Sequence, residues 1–182
     1  MDSPSLHKAP SAVPLATHLT PAGYRRLCAR IEELRGRYLE VCKASEAAQD
    51  VETSVWHDNF DYEEIQRQMH QLSRRVRDQE LARAAARVMP LRSPEVVMAQ
   101  VRLGCVVTLI GESDYQATWL LAGFDDGDVE RGRLSYNSPL GGSLLGRQAG
   151  DIVTFMVGGA PVEAEIVSIR PCTSTEDEEG LR

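Results

Sequence analysis

Apolar side chains recur along the first half of the chain with a helical period. Leu27, Ile31, Leu34, Tyr38, Val41, Ser45 and Ala48 are separated by 4, 3, 4, 3, 4 and 3 residues. That spacing keeps one stripe of a helix turned toward a partner. Thr20 is a good N-cap and Pro21 suits the first helical position. No proline follows until Pro90. The pattern predicts one helix over about 21–49, roughly 43 Å long at 1.5 Å per residue.

A second run, Tyr62, Ile65, Met69, Leu72, Val76 and Gln79, repeats the alternation, and alanines carry it to Ala86. Pro90 and Pro94 then stop it. Two such helices joined by a turn of about ten residues form an antiparallel hairpin, each burying the other's stripe. A hairpin of this kind has one narrow apolar seam and no room for an internal ligand, so its function is expected on its surface or at its tip.

From about Val96 the period changes to that of strands. Residues 105–110, 118–122, 133–136, 151–157 and 162–169 read as five strands, separated by turns bearing Gly, Asp and Pro. Between the third and fourth, Ser138-Pro139 opens a short helix and Gly146 closes it. These elements predict a compact α+β domain over 95–170, following a coiled-coil hairpin over 19–89 with its tip near 50–60. Residues 1–18, with three prolines, and the acidic tail 171–182 are expected to be disordered.

The tip itself reads SVWHDNFDY from Ser54 to Tyr62. Carboxylates, an imidazole and large aromatics stand where a helix-helix turn normally uses Gly and small polar residues. Val55, Trp56 and Phe60 suit a plug over the end of the seam, with Trp56 facing a partner as the sharper alternative. His57 reads as a tip contact or a solvated loop residue.

Composition narrows the function. The 182 residues carry a formal charge of -7, which disfavours non-specific binding to nucleic acid. The 5% aromatic content fits a helix-rich chain. Cys28, Cys42, Cys105 and Cys172 include no C-x-x-C pair, and the first two lie roughly 21 Å apart along one helix, so reduced thiols are expected. The first 18 residues lack the apolar core of a signal peptide and no run approaches a membrane span. The expectation is a cytoplasmic monomer with no stably bound cofactor.

Several segments together resemble the Gre family of bacterial transcript-cleavage factors. Leu19-Thr20-Pro21, Gly23-Tyr24 and Leu27 resemble the start of the family's coiled coil. Asp58-Asn59 and Asp61-Tyr62 resemble its re-entry into the second helix. Gly132-Arg133-Leu134-Ser135, Asn137-Ser138-Pro139-Leu140, Leu144-Leu145-Gly146 and Gly150-Asp151 resemble the signature of its C-terminal domain in residue type and spacing. The resemblance spans about 19–169. It implies an FKBP-like antiparallel sheet with one short helix as the second domain. It also implies RNA polymerase as the partner, entered through its secondary channel, with the nascent RNA 3′ end nearby.

On this resemblance the protein has no catalytic residues of its own. Tip carboxylates would help hold a Mg²⁺ shared with the polymerase active site, where paused or backtracked RNA is cleaved. Hard oxygen ligands suit that ion. Setting Asn59 on the family's Asn places Asp58 at its Glu position and Val55 at its Asp position. Asp58, with Glu52 or Asp61 beside it, is then the metal-directed candidate, and Trp56, His57 and Asn59 are tip contacts.

Further along, Arg67, Arg74 and Arg77, with His70, form a basic stripe on the second helix, either a solvated face or a contact to RNA. Asn137, Ser138 and Pro139 occupy the family's polymerase-docking loop, a position that ordinary helix-start architecture explains equally. Alternatives are a channel-binding regulator or inhibitor without cleavage stimulation, and a chaperone-like protein using the hairpin as a clamp. Prolyl isomerase activity is set aside, because that chemistry needs an aromatic-lined pocket and the domain has few aromatics.

Overall fold

A computed structural model describes residues 17–50, 60–111, 116–157 and 159–181. The chain is α+β: a long helical hairpin rooted on a five-stranded mixed sheet. Strand β1 (His18–Leu19) leads into helix α1 (Pro21–Asp50), and helix α2 (Phe60–Ala84) leads into strand β2 (Arg87–Val88). Thr20 begins α1 as its residue type suggested, the Gly23 N–H donating to Thr20 Oγ1 at 3.1 Å. At 30 residues, α1 is about 45 Å long.

The predicted stripe forms the seam. Leu27, Ile31 and Ser45 are buried, and Leu34, Tyr38 and Val41 are half-buried against the half-buried Ile65, Met69, Leu72, Val76 and Gln79. Arg35 crosses the seam to pair with Glu80. At the root, β1 pairs in parallel with β2, so the residues entering α1 and leaving α2 are tied together. The Phe124 N–H donates to His18 O at 3.1 Å and fastens that pair to the globular domain.

The globular domain contains strands β3 (Cys105–Gly111), β4 (Gln116–Ala122), β5 (Arg133–Ser135), β6 (Ile152–Val157) and β7 (Ala160–Pro171), in the order β5-β4-β3-β7-β6. Helix α3 (Pro139–Leu144) packs on one face, where Val107, Leu109, Leu121, Leu134, Leu144 and Ile166 are buried together. The opposite face buries Val106, Leu120 and Cys172 under Leu91 and Leu181. Burial pushes the Cys105 thiol up to about 11 and the Cys172 thiol up to about 12, so both stay protonated. All four cysteines are free.

Two expectations are corrected. The sheet is not wholly antiparallel, because β5 runs parallel to β4. The segment 123–132 carries the chain back before β5 begins, with Asp125 at φ 52 and Gly132 at φ 66. Strand periodicity does not encode that direction.

The acidic tail is not disordered. It forms helix α4 (Ser174–Glu179) with a capping box. The Glu176 N–H donates to Thr173 Oγ1 at 3.2 Å, and the Thr173 N–H donates to Glu176 Oε2 at 2.8 Å. Arg170 donates to Glu176 at 2.6 and 2.9 Å. The run of acids ordered because its cations lie elsewhere in the chain. At the other end, the segment expected to be disordered through residue 18 is already in β1 at His18.

Glu176 supplies a pH test. The hydrogen bond from Arg170 holds its carboxyl down to about 2 from an ordinary 4.5. A depressed carboxylate stabilises the fold above its unfolded value and loses that contribution as pH falls toward the folded one. Glu176→Gln is therefore expected to lower Tm at pH 7. The gap to the parent should close as pH falls from about 4.5 toward 2. Thermal melts across that range check it.

Candidate functional site

The root of the hairpin is built around Arg26, in the second turn of α1. Its guanidinium forks onto Asp126, with Nε to Oδ1 at 2.7 Å and Nη2 to Oδ2 at 2.6 Å. Nη1 donates to the Asp177 carbonyl at 2.7 Å. Asp126 and Asp177 are buried. Burial works against the Arg26 cation, but pairing with Asp126 more than offsets it and holds the pKa above its ordinary value. Arg30 adds bonds to Asp125 O at 3.0 Å and Asp125 Oδ2 at 3.3 Å.

Beside this cluster, Arg133 on β5 is buried with Asp128 at 2.9 Å, and desolvation, then the nearby Arg26, lowers its pKa. None of these roles was visible in the sequence. Asp126 and Asp177 lie 100 and 151 residues from Arg26, and no local spacing joins them.

From that root the hairpin projects its candidate residues. Arg67, His70, Arg74 and Arg77 are all exposed on α2, and helical geometry puts them on one stripe about 15 Å long. Arg67, His70 and Arg74, with Gln71 and Arg75, line a shallow groove of about 350 Å³. Arg77 lines the neighbouring groove with Arg35, Tyr38 and Glu80. Arg67 also pairs with Glu64 at 3.1 Å, so part of the stripe's charge is compensated locally. At the tip, Glu52, Trp56, His57, Asp58 and Asn59 lie outside the described residues, as does Val55. Asp61 falls in the first turn of α2.

The loop before α3 is ordered by its own residues. Ser138 caps α3, accepting from the Gly141 N–H at 3.1 Å and donating to Ser135 O at 2.7 Å. Pro139 follows at the helix start. The exposed Asn137 accepts from the Asp125 N–H at 3.2 Å and from the Ser135 hydroxyl, tying this loop to the segment that meets Arg30. The three residues thus have architectural roles while Asn137 and Pro139 remain exposed.

Nearby, an apolar groove of about 260 Å³ is lined by His18, Met89, Val101, Leu103, Tyr136 and Leu145, with Tyr136 as its one aromatic. Among the described residues no cluster of three or more His, Cys, Asp or Glu is arranged to hold a metal. No described helix is long and apolar enough to cross a membrane.

Residues 97–171 match the family described as "Transcription elongation factor, GreA/GreB, C-term". The chain is 30% identical over 159 residues to a transcription elongation factor GreA of Chloroflexus aurantiacus, covering 85% of this chain and 97% of that one. The GreA of Paracoccus denitrificans is 29% identical over 155 residues, covering 84% and 96%. That of Alkalilimnicola ehrlichii is 33% identical over 116 residues, covering 62% and 72%. Among solved structures, the GreA factor homolog 1 of Thermus thermophilus covers 84% of this chain and 97% of its own at 24% identity. Its TM-score to this chain is 0.39.

Gly141 tests the packing of α3 against β5. A Cβ there would stand 2.0 Å from Ser135 O and 3.0 Å from Tyr136 Cα, both backbone atoms. Gly141→Ala must push α3 off β5, and is expected to cost at least about 1–3 kcal/mol. The measurement is Tm, at roughly 2–4 °C for each kcal/mol in a chain of this size.

Proposed function

The chain belongs to the GreA/GreB family of transcription elongation factors, and we propose that it binds RNA polymerase through the secondary channel and acts there on paused or backtracked complexes. The observation that carries this reading is the extent of the similarity, 97% of a GreA relative's length. It takes in the hairpin as well as the globular domain. A stiff rod about 45 Å long on a compact base suits delivery of a tip into a narrow channel. The exposed Asn137 and Pro139 would meet the polymerase at the channel rim, and the Arg67, Arg74 and Arg77 stripe would face the RNA.

On this reading the tip carries Asp58 toward the polymerase active site, with Glu52 or Asp61 beside it. A Mg²⁺ shared with the polymerase would polarise the phosphate and activate water for cleavage of the RNA 3′ end. The protein's own contribution is carboxylate oxygen at the right place.

A second reading is favoured by Val55, which stands where the family pattern has an acid. With one tip carboxylate absent, the protein would occupy the channel and restrain the polymerase without stimulating cleavage.

A stalled, backtracked elongation complex distinguishes the two. Under the first reading, added protein shortens the RNA from its 3′ end, and Asp58→Ala reduces the rate roughly tenfold or more. Binding without shortening, together with slowed transcription, supports the second. Failure to co-purify with polymerase or to compete with another channel-binding factor removes both and returns the chaperone-like clamp.

A further inference from the structure

The family match ends at residue 171, yet the ordered chain does not. Beyond it, α4 lies against the root of the rod. Asp177 is 2% exposed and its Oδ2 accepts the Ala22 N–H at 3.1 Å. That N–H is one of the donors a helix start leaves without an intrahelical partner. Thr20 satisfies the next one, Gly23, from the same segment, so α1 is capped from both ends of the protein.

Arg26 then binds Asp126 of the globular domain and the Asp177 carbonyl of the tail with one guanidinium. Arg25 pairs with Glu178 on the outside. On the far side the Leu181 N–H donates to Arg131 O at 2.8 Å, and Leu181 packs with Val106, Leu120 and Cys172. The tail is wedged between the rod and the segment joining β4 to β5.

We propose that Asp177 is a positioning residue and that α4 acts as a latch fixing the direction in which the rod leaves the globular domain. The reason is leverage. A tilt of about 10° at the root moves the far end of a 45 Å rod by roughly 8 Å. Reaching an active site requires far tighter placement, since misplacement by about 1 Å can cost on the order of a hundredfold in rate. β1–β2 and Phe124 hold the root on one side, and the tail holds the start of α1 on the other. The proposal rests on the reading of the rod as a delivery element, but its geometry is testable on the protein alone.

The experiment places spin labels at K43C and E163C, both exposed, in full-length protein with C28S and C42S, and measures the interspin distance distribution. The parent should give one narrow population. Asp177→Ala should add a broad or displaced population while keeping the helical content seen by circular dichroism. Val153→Ala, which truncates a buried side chain on β6 at the sheet edge opposite β5, should leave the distribution narrow. An unchanged distribution in Asp177→Ala overturns the latch. Equal broadening in Val153→Ala also overturns it, because general destabilisation would then explain the effect. Broadening by Asp177→Ala in a protein that does not bind polymerase would leave the latch standing and sink the functional reading instead.

Discussion

The fork of Arg26 onto Asp126 is the constraint on which the rest of the molecule depends. A coiled-coil hairpin has no intrinsic reason to point in any direction relative to the domain it is attached to. Here the direction is set by a cation on α1, a carboxylate after β4 and a tail carboxylate, all at least partly withdrawn from water. Such an arrangement is weak evidence for stability, because desolvating the charges offsets much of their attraction. It is strong in geometry: a bidentate guanidinium tolerates little rotation, and a displaced partner would leave a buried charge unpaired. The same cluster includes Arg133, held by Asp128 in the wall of the sheet, so the rod's root and β5 share one electrostatic environment.

The seam above that root is built differently. Ile31 is fully buried near the base, but farther out Leu34, Tyr38 and Val41 are only half-covered. Two helices alone cannot enclose an apolar core, so each seam residue contributes less than a core leucine in the sheet domain. Ion pairs such as Arg35–Glu80 span the edges, exposed enough that solvent screens them. Stability is therefore concentrated in the globular domain, while the rod supplies length and stiffness. This division fits a protein that acts at a distance from its folded mass.

Much of this was legible in the sequence where the information is local. The 3-4 spacing from Leu27 to Ser45 marked α1, and Thr20-Pro21 marked its start, because helix period and capping are properties of neighbouring residues. The strands were legible by alternation, and α3 by Ser138-Pro139. What could not be read was pairing across long separations. The parallel direction of β5 depends on how 123–132 crosses the sheet. The order of α4 depends on Arg170, Ala22 and Arg26, without which Thr173-Ser-Thr-Glu-Asp-Glu-Glu179 reads as a solvated acidic run. The basic stripe is exposed on α2, and exposure alone does not choose between a solvated face and an RNA contact.

Delivery and chemistry are therefore separable in this chain. The features that would carry a tip into a channel are the root, the seam and the Asn137–Pro139 loop, and none of them depends on which residues the tip presents. Val55, on the proposed reading, lowers the tip's supply of oxygen ligands, while Arg26, Asp126 and the cap at Ser138 belong to the scaffold. On the proposed reading, a change from acid to valine would leave channel occupancy to the scaffold and remove only the part of the function that needs a second carboxylate. Substitutions confined to a few tip residues would, on that reading, turn a scaffold of this kind from stimulating a polymerase to restraining it. The latch made by α4 bears on both outcomes equally, because a rod must be aimed whether its end assists the reaction or obstructs it.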